Sequence, residues 1–314
     1  NIVPSTTTYT WTTPVSTPAG AITGGSAQTT GANTISQTLT NTSTEVATIE
    51  YIVTPISGAC AGIPFTITVT VNPTPTTLGL TNQTYCNAIP TNEIVLNNSV
   101  SGTTYAWTNS NTAIGLAASG TGNIPVFTPT NNGTAPITAT ISVIATANGC
   151  SRVAETFTIT VNPSPAVNFS PSNQTICSGE TSALVTLSST TPGATFSWTA
   201  VQPTGITGVI TSGTNTIPAQ NLVNSTNAPI TIIYFAVAAT NGTSTCAGST
   251  YNYTIIVNPR PNITESFTEA ICSGESFSIT PSNSALNSIP VGTTYSWSAP
   301  IITGGITGGT SATN

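Results

Sequence analysis

The pentapeptide Val-Asn-Pro-x-Pro occurs three times, at residues 71–75, 161–165 and 257–261, in steps of 90 and 96 residues. Trp11, Trp107, Trp198 and Trp297 keep the same beat, at intervals of 96, 91 and 99. Each has an aromatic residue two positions earlier: Tyr9, Tyr105, Phe196 and Tyr295. Two cysteine series run in phase with them, Cys86, Cys177 and Cys272 in one and Cys60, Cys150 and Cys246 in the other. A period near ninety-five residues is too long for a solenoid unit and suits one small domain. The chain thus reads as a tandem array. Residues 1–73 form a repeat without its first strands, 74–163 and 164–259 are complete, and 260–314 is the N-terminal half of a fourth. A half-repeat exposes its core, so the segment is expected to belong to a much longer polymer.

Within the second repeat, residues 92–97, 103–108, 137–147 and 156–161 carry the β-branched, alternating pattern of strands. Asn148-Gly149 lies between the last two of these runs and predicts a tight hairpin. The third repeat copies the order with 183–188, 195–199, 230–240, a turn at Asn241-Gly242, and 251–257. No segment sustains a 3.6-residue period, so no substantial helix is expected. Roughly seven strands around one Trp on an early central strand predict an all-β array of immunoglobulin-like sandwiches. Residues two apart on a strand share a face, which places the aromatic-x-Trp pairs in the inter-sheet core. Stacking of these Trp residues on carbohydrate is the lesser reading. The linker prolines (Pro73, Pro75, Pro163, Pro165, Pro259 and Pro261) end the last strand and favour extended backbone, predicting a semi-rigid rod.

Composition removes most chemistries. There is no His, Asp, Lys or Met, and charge is confined to eight Glu and two Arg, Arg152 and Arg260. Without His, neither the usual nucleophile–base pairs nor His-containing zinc sites can be built, and without Asp there are no Asp-rich calcium loops. No catalytic residue, metal site or cofactor is therefore expected, and the segment is not read as an enzyme. Two Arg cannot neutralise a phosphate track, which argues against nucleic acid. No run of eighteen apolar residues exists to insert in a membrane. The Thr, Ser, Asn and Gly surface is soluble with almost nothing to titrate between about pH 5 and 9. Ten Asn-x-Ser/Thr sequons, at Asn41, Asn82, Asn97, Asn132, Asn168, Asn173, Asn224, Asn241, Asn252 and Asn262, are about what chance supplies in so Asn- and Thr-rich a chain.

The six cysteines read as disulfide formers rather than metal ligands. Pairing within repeats, Cys86 with Cys150 and Cys177 with Cys246, would close loops contributing about 4 kcal/mol each. Immunoglobulin topology instead puts Cys86 and Cys150 at opposite ends of the domain, roughly 25 Å apart, when a disulfide needs Cα atoms within about 7 Å. In that case Cys86 with Cys246 would staple the joint between repeats. Cys60, Cys150, Cys177 and Cys272 would then pair outside the segment or stay unpaired. Both schemes remain open at this level.

Several elements together resemble the PKD-like repeats of very large Bacteroidota surface proteins, of which gliding-motility adhesins are the best known. They are Gln174-Thr175-Ile176-Cys177-Ser178-Gly179-Glu180, its echo from Ala270 to Glu275, the aromatic-x-Trp strand, Asn148-Gly149-Cys150 and the closing Val-Asn-Pro-x-Pro. The second repeat departs from this with Tyr85-Cys86-Asn87-Ala88. The resemblance implies export by the type IX route, display on the outer surface of a Gram-negative cell, and service as a filamentous adhesin or its stalk. It brings no catalytic residues, and Glu180 and Glu275 read as turn residues capping backbone groups. The implied partners are neighbouring repeats, extracellular polysaccharide or an abiotic surface, and an outer-membrane anchor or motility machinery outside the segment. Two further functions stay in view. The loops at 113–123 and 201–220 could bind polysaccharide, or the repeats could space the domains of a secreted enzyme.

Overall fold

The computed structural model describes residues 3–240 and 245–313. It is all-β and falls into two compact units, 1–162 and 163–314, each taken separately below.

In the first unit two sheets are built on long central strands. Ala47–Ser57 pairs on one side with Thr8–Trp11 and on the other with Phe65–Val71. Ile137–Ala147 pairs in the same way with Thr104–Asn109 and Glu155–Asn162. The sequence explains the choice: in Ile137–Ala147 every second residue from Ala139 to Ala147 is buried, as period-two apolar spacing requires. Gln83–Cys86 then runs parallel to Glu155–Asn162 and closes that edge, with Tyr85 opposite Val161 and Cys86 opposite Asn162. The turn at Asn148-Gly149 has φ of 49° and 79°, the left-handed pair that Asn-Gly tolerates in a tight hairpin. Two cores form. One gathers around Trp11, Ile49, Tyr51 and Val53, the other around Trp107, Ile141, Val143, Phe157 and Ile159.

The second unit repeats the plan. Its main sheet runs Gln174–Cys177, Ala247–Asn258, Ile230–Ala239, Thr195–Ala200 and Ser212–Thr214, again with the first pair parallel. A facing sheet of Asn168–Ser170, Val185–Ser188 and Thr216–Ile217 completes the sandwich over a core that includes Trp198, Tyr234 and Tyr253. The predicted turn at Asn241-Gly242 lies outside the described residues. The segment predicted as a strand at 92–97 makes only a single bridge, Ile94 to Ile124. There the Leu96 amide donates to the Asn123 side chain at 3.0 Å rather than to a ladder.

A close approach explains a pattern the sequence reading missed. Trp107 and Trp198 lie against glycines of the neighbouring Ser-Gly-Thr strands, Gly120 and Gly213. A Cβ on Gly213 would sit 2.5 Å from Trp198 Cζ2, so only glycine lets that strand cover the ring. Tyr9, Tyr105 and Phe196 pack partly buried beside these cores. Two of the predicted core aromatics do not pack as expected. Tyr295 is 38% exposed and Trp297 57%, because among the described residues nothing equivalent to Ile137–Ala147 or Ile230–Ala239 pairs with their segment. Gly213→Ala is expected to lower stability by about 1–3 kcal/mol through overpacking. Urea unfolding beside the neighbouring Ser212→Ala, which should change little, measures it.

Candidate functional site

The features that could carry a mechanical role sit where the linkers meet the sandwiches. In the first unit, Asn72 Nδ2 donates to the Asn148 carbonyl at 2.9 Å. Arg152 Nη1 donates to the Pro75 carbonyl at 3.3 Å, and its Nε to Glu155 Oε1 at 2.8 Å. Both oxygens of Glu155 accept from the Leu78 amide at 3.1 Å. The last hairpin of the repeat thus grips the linker that precedes it. The ion pair is partly solvated and weak by itself, so the bonds to backbone matter as much as the charges. In the second unit Pro165 takes the place of Pro75, and Gly248 that of Arg152, two residues after the hairpin cysteine. The Pro165 carbonyl lies so close to Gly248 that a Cβ there would overlap it. One joint uses a guanidinium and the other a direct backbone approach, at the same position. Pro73, Pro75, Pro163 and Pro165 are all buried, Pro259 is half-buried and Pro261 exposed.

The cysteines follow from strand register. Cys86 is opposite Asn162 at the C-terminal end of the last strand, and Cys150 is opposite Ala147 in the hairpin before that strand begins. Cys177 is opposite Asn258, whereas Cys246 precedes Ala247–Asn258 at its far end. At about 3.3 Å per residue, the two cysteines of each repeat are roughly 35 Å apart along the strands. Cys86 and Cys246 are disulfide-bonded, while Cys60, Cys150, Cys177 and Cys272 carry free thiols. The alternative of Cys86–Cys150 and Cys177–Cys246 links is therefore not realised, since Cys150 and Cys177 are free and their sheets hold them too far away. Glu180 and Glu275 cap backbone amides, accepting from Cys177 at 3.0 Å and Cys272 at 3.2 Å. Glu180 also meets Arg260 at 3.3 Å, an exposed pair of little energetic weight.

A second repeated device was not anticipated. Asn41, Asn131 and Asn224 occupy matching loops, and each side-chain amide donates to two carbonyls. Asn41 reaches Glu45 and Val71, both at 2.7 Å. Asn131 reaches Ala135 at 2.9 Å and Val161 at 2.8 Å, and Asn224 reaches Ala228 at 2.8 Å and Val257 at 2.9 Å. Each Oδ1 accepts an amide two residues on: from Ser43, Gly133 and Thr226. These asparagines tie a loop to the end of the last strand, at the valine that opens the Val-Asn-Pro-x-Pro linker. Their regular place in the repeat was readable, but one Asn among so many gives no local signal. Asn41 and Asn224 head sequons, and with both amide hydrogens engaged they are closed to glycan attachment in the folded state.

The loops at 113–123 and 201–220 are anchored from beneath by a few buried side chains, and most of their other residues are exposed. Ile114 and Leu116 plug the first unit's core and Ile206 and Ile217 the second's, and Gln220 bonds Tyr234 Oη at 2.9 Å. Trp11, Trp107 and Trp198 are buried, which removes them as stacking platforms for sugars. Among the described residues no group of three or more acidic or cysteine side chains could hold a metal, and no helix is long and apolar enough to cross a membrane.

The sequence pattern of the PKD-like domain matches residues 1–75 and 174–261, together more than half of the chain. The chain belongs to the PKD-like domain family. Such domains are typically non-catalytic. No curated protein matches the chain. Solved structures similar to it include mouse cadherin-23 EC22-24, at 12% identity and a TM-score of 0.28 over 83% of this chain and 88% of that one. Mouse clustered PcdhgC3 EC1-3 aligns at 12% identity and 0.32, over 68% of this chain and 76% of that one. Chicken CNTN1 FN1-FN3 domains align at 9% and 0.30, over 81% and 90%. These scores carry no functional argument, and the family rests on the sequence match.

Two outcomes follow. Asn224→Ala strands the Ala228 and Val257 carbonyls and should cost about 2–3 kcal/mol, read as a lowered urea midpoint. Burial raises the pKa of Tyr234 and Tyr253 above 10, with hydrogen bonds from Gln220 and Gln174 opposing it. A raised folded value means stability is fully present below the unfolded pKa of about 10 and is lost as pH rises through the folded value. Melting temperature should therefore hold through about pH 9 and fall above pH 10, as circular dichroism would record.

Proposed function

We propose that this chain is a stalk segment of a long extracellular adhesin, its PKD-like repeats acting as load-bearing rod elements. The bounds proposed for them are 1–73, 74–163, 164–259 and 260–314. The observation that carries this reading is the seating of the second proline of two linkers on the last hairpin of the repeat each leads into, through Arg152 for Pro75 and Gly248 for Pro165. A linker held in this way transmits force and orientation instead of swivelling. The bonded state of Cys86 and Cys246 favours an oxidising, extracellular setting. It also supports a link between these two, which would staple consecutive repeats across residues 163–165. A surface nearly without charge suits prolonged exposure. The Bacteroidota cell surface, type IX export and a part in gliding or attachment rest on the resemblance of the repeats. So do the outer-membrane anchor or motility machinery proposed to hold the filament, and the polysaccharide or abiotic surface proposed as its target.

Single-molecule stretching of the whole chain tests the stalk. A Cys86–Cys246 link hides 160 residues from extension, or about 50–60 nm of contour length. That length should be missing under oxidising conditions and appear on reduction. An unchanged contour would remove the staple and leave stiffness to the prolines. Non-reducing peptide mapping gives the pairing directly, with a Cys86–Cys246 crosslinked peptide expected and a Cys86–Cys150 peptide overturning it.

A further inference from the structure

Both units contain the same pair of neighbours: a short strand near the start of a repeat and the long strand that ends it, side by side and running the same way. Gln83–Cys86 is parallel to Glu155–Asn162, and Gln174–Cys177 to Ala247–Asn258. Each entering strand lies at the edge of its sheet, so its ladder partner is the strand that leaves. The register is shared. Gln83 is opposite Ile159 and Cys86 opposite Asn162, as Gln174 is opposite Ile255 and Cys177 opposite Asn258. One further bond extends each ladder, from the Asn87 amide to the Asn162 carbonyl at 3.0 Å and from the Ser178 amide to the Asn258 carbonyl at 2.8 Å. At the other end of the first pair, the Thr158 amide donates to Asn82 Oδ1 at 2.9 Å.

Strand direction decides how such a pair responds to tension. Pulled through the chain, the entering strand is drawn back from its first residue and the leaving strand forward from its last. In a parallel pair these are opposite ends, so the strands slide along each other and their bonds are strained together. An antiparallel pair would have both loaded ends on one side, and its bonds would open one at a time. We infer that each parallel pair is a shear clamp that sets the force at which its repeat opens. Its purpose rests on the stalk reading above, whereas its mechanics do not. Asn131 and Asn224 support the leaving strand beside its exit, where their amides hold the Val161 and Val257 carbonyls at 2.8 and 2.9 Å. Alternate amides of a strand face the same neighbour. The Asn87 bond therefore directs the amides of Gln83 and Tyr85 toward Glu155–Asn162 and that of Thr84 away from it. Forced unfolding follows the barrier to opening rather than equilibrium stability, so clamp bonds and core contacts should separate in experiment.

Single-molecule stretching of the full chain under reducing conditions tests this, with the force read at each rupture. Residues 83–162 and 174–258 should each give one rupture that releases about 25–30 nm of chain. Gln83→Pro removes a clamp amide and should lower the first of these to about half its force or less, leaving the second as an internal reference. Asn82→Ala, a change at an exposed residue, should lower the same rupture by a smaller step. Thr84→Pro, whose lost amide faces away, should leave both forces unchanged. Ile141→Val should also leave them unchanged while lowering the urea midpoint through the core. Unchanged forces in both Gln83→Pro and Asn82→Ala overturn the inference. So does an equal fall in Thr84→Pro or Ile141→Val, which would tie the force to general stability. Under oxidising conditions a Cys86–Cys246 link would take both pairs out of the load path. Ruptures that persist there would support the clamp and remove the staple.

Discussion

The parallel pairing of a short Gln-Thr-x-Cys strand with the last strand of each complete repeat is the constraint on which most of the structure depends. It closes the sheet edge, and with the facing strands it brings Ile159, Val161, Ile255 and Val257 to complete burial. The same pairing carries the first-series cysteine to the C-terminal end of the sheet, beside the linker, and so away from the hairpin cysteine of its own repeat. Cysteine chemistry is thus a consequence of strand direction. An antiparallel strand in that position would have brought Cys86 toward Cys150.

A chain with ten charged residues must satisfy its buried polar groups by other means. It does so with amides and hydroxyls. Asn41, Asn131 and Asn224 each fix a loop to a strand end with two donors and one acceptor. Gln220 and Gln174 serve Tyr234 and Tyr253. The indole N–H of Trp11 and Trp198 each finds a backbone carbonyl, at 2.8 and 2.9 Å, while that of Trp107 is buried without a partner. Neutral hydrogen bonds of this kind are insensitive to salt and to pH across the neutral range, and tyrosine is the first group to set an alkaline limit. The joints follow the same economy, using one partly solvated Arg–Glu pair in the first unit and a glycine contact in the second.

Much of this was legible before any coordinates. The aromatic-x-Trp strand, the Asn148-Gly149 hairpin and the alternating 137–147 run fall as read, because each is a local pattern with one low-energy answer. The glycines under Trp107 and Trp198 were not foreseen, since a glycine in a Ser-Gly-Thr run looks like a turn until the ring above it is placed. The segment at 92–97 has strand-like composition, yet Asn123 captures its amide. Tyr295 and Trp297 carry the core motif without a core, because burial needs partner strands and a motif cannot supply them. The loops at 113–123 and 201–220, the most variable between repeats, also plug the sandwich with Ile114, Leu116, Ile206 and Ile217, a tertiary role their composition does not announce.

The amino-acid sequence alone determined the repeat, its period, the all-β class, the family resemblance and the absence of residues for most enzymatic or metal chemistry. Those properties depend on which residues occur and how they are spaced. Tertiary structure decided which cysteines are bonded and which are free, which asparagines lock loops, and that Pro75 and Pro165 rest on the following repeat's hairpin. Each of these depends on the direction and register in which distant segments pair, and a two-residue periodicity fixes the face of a side chain without fixing its neighbour.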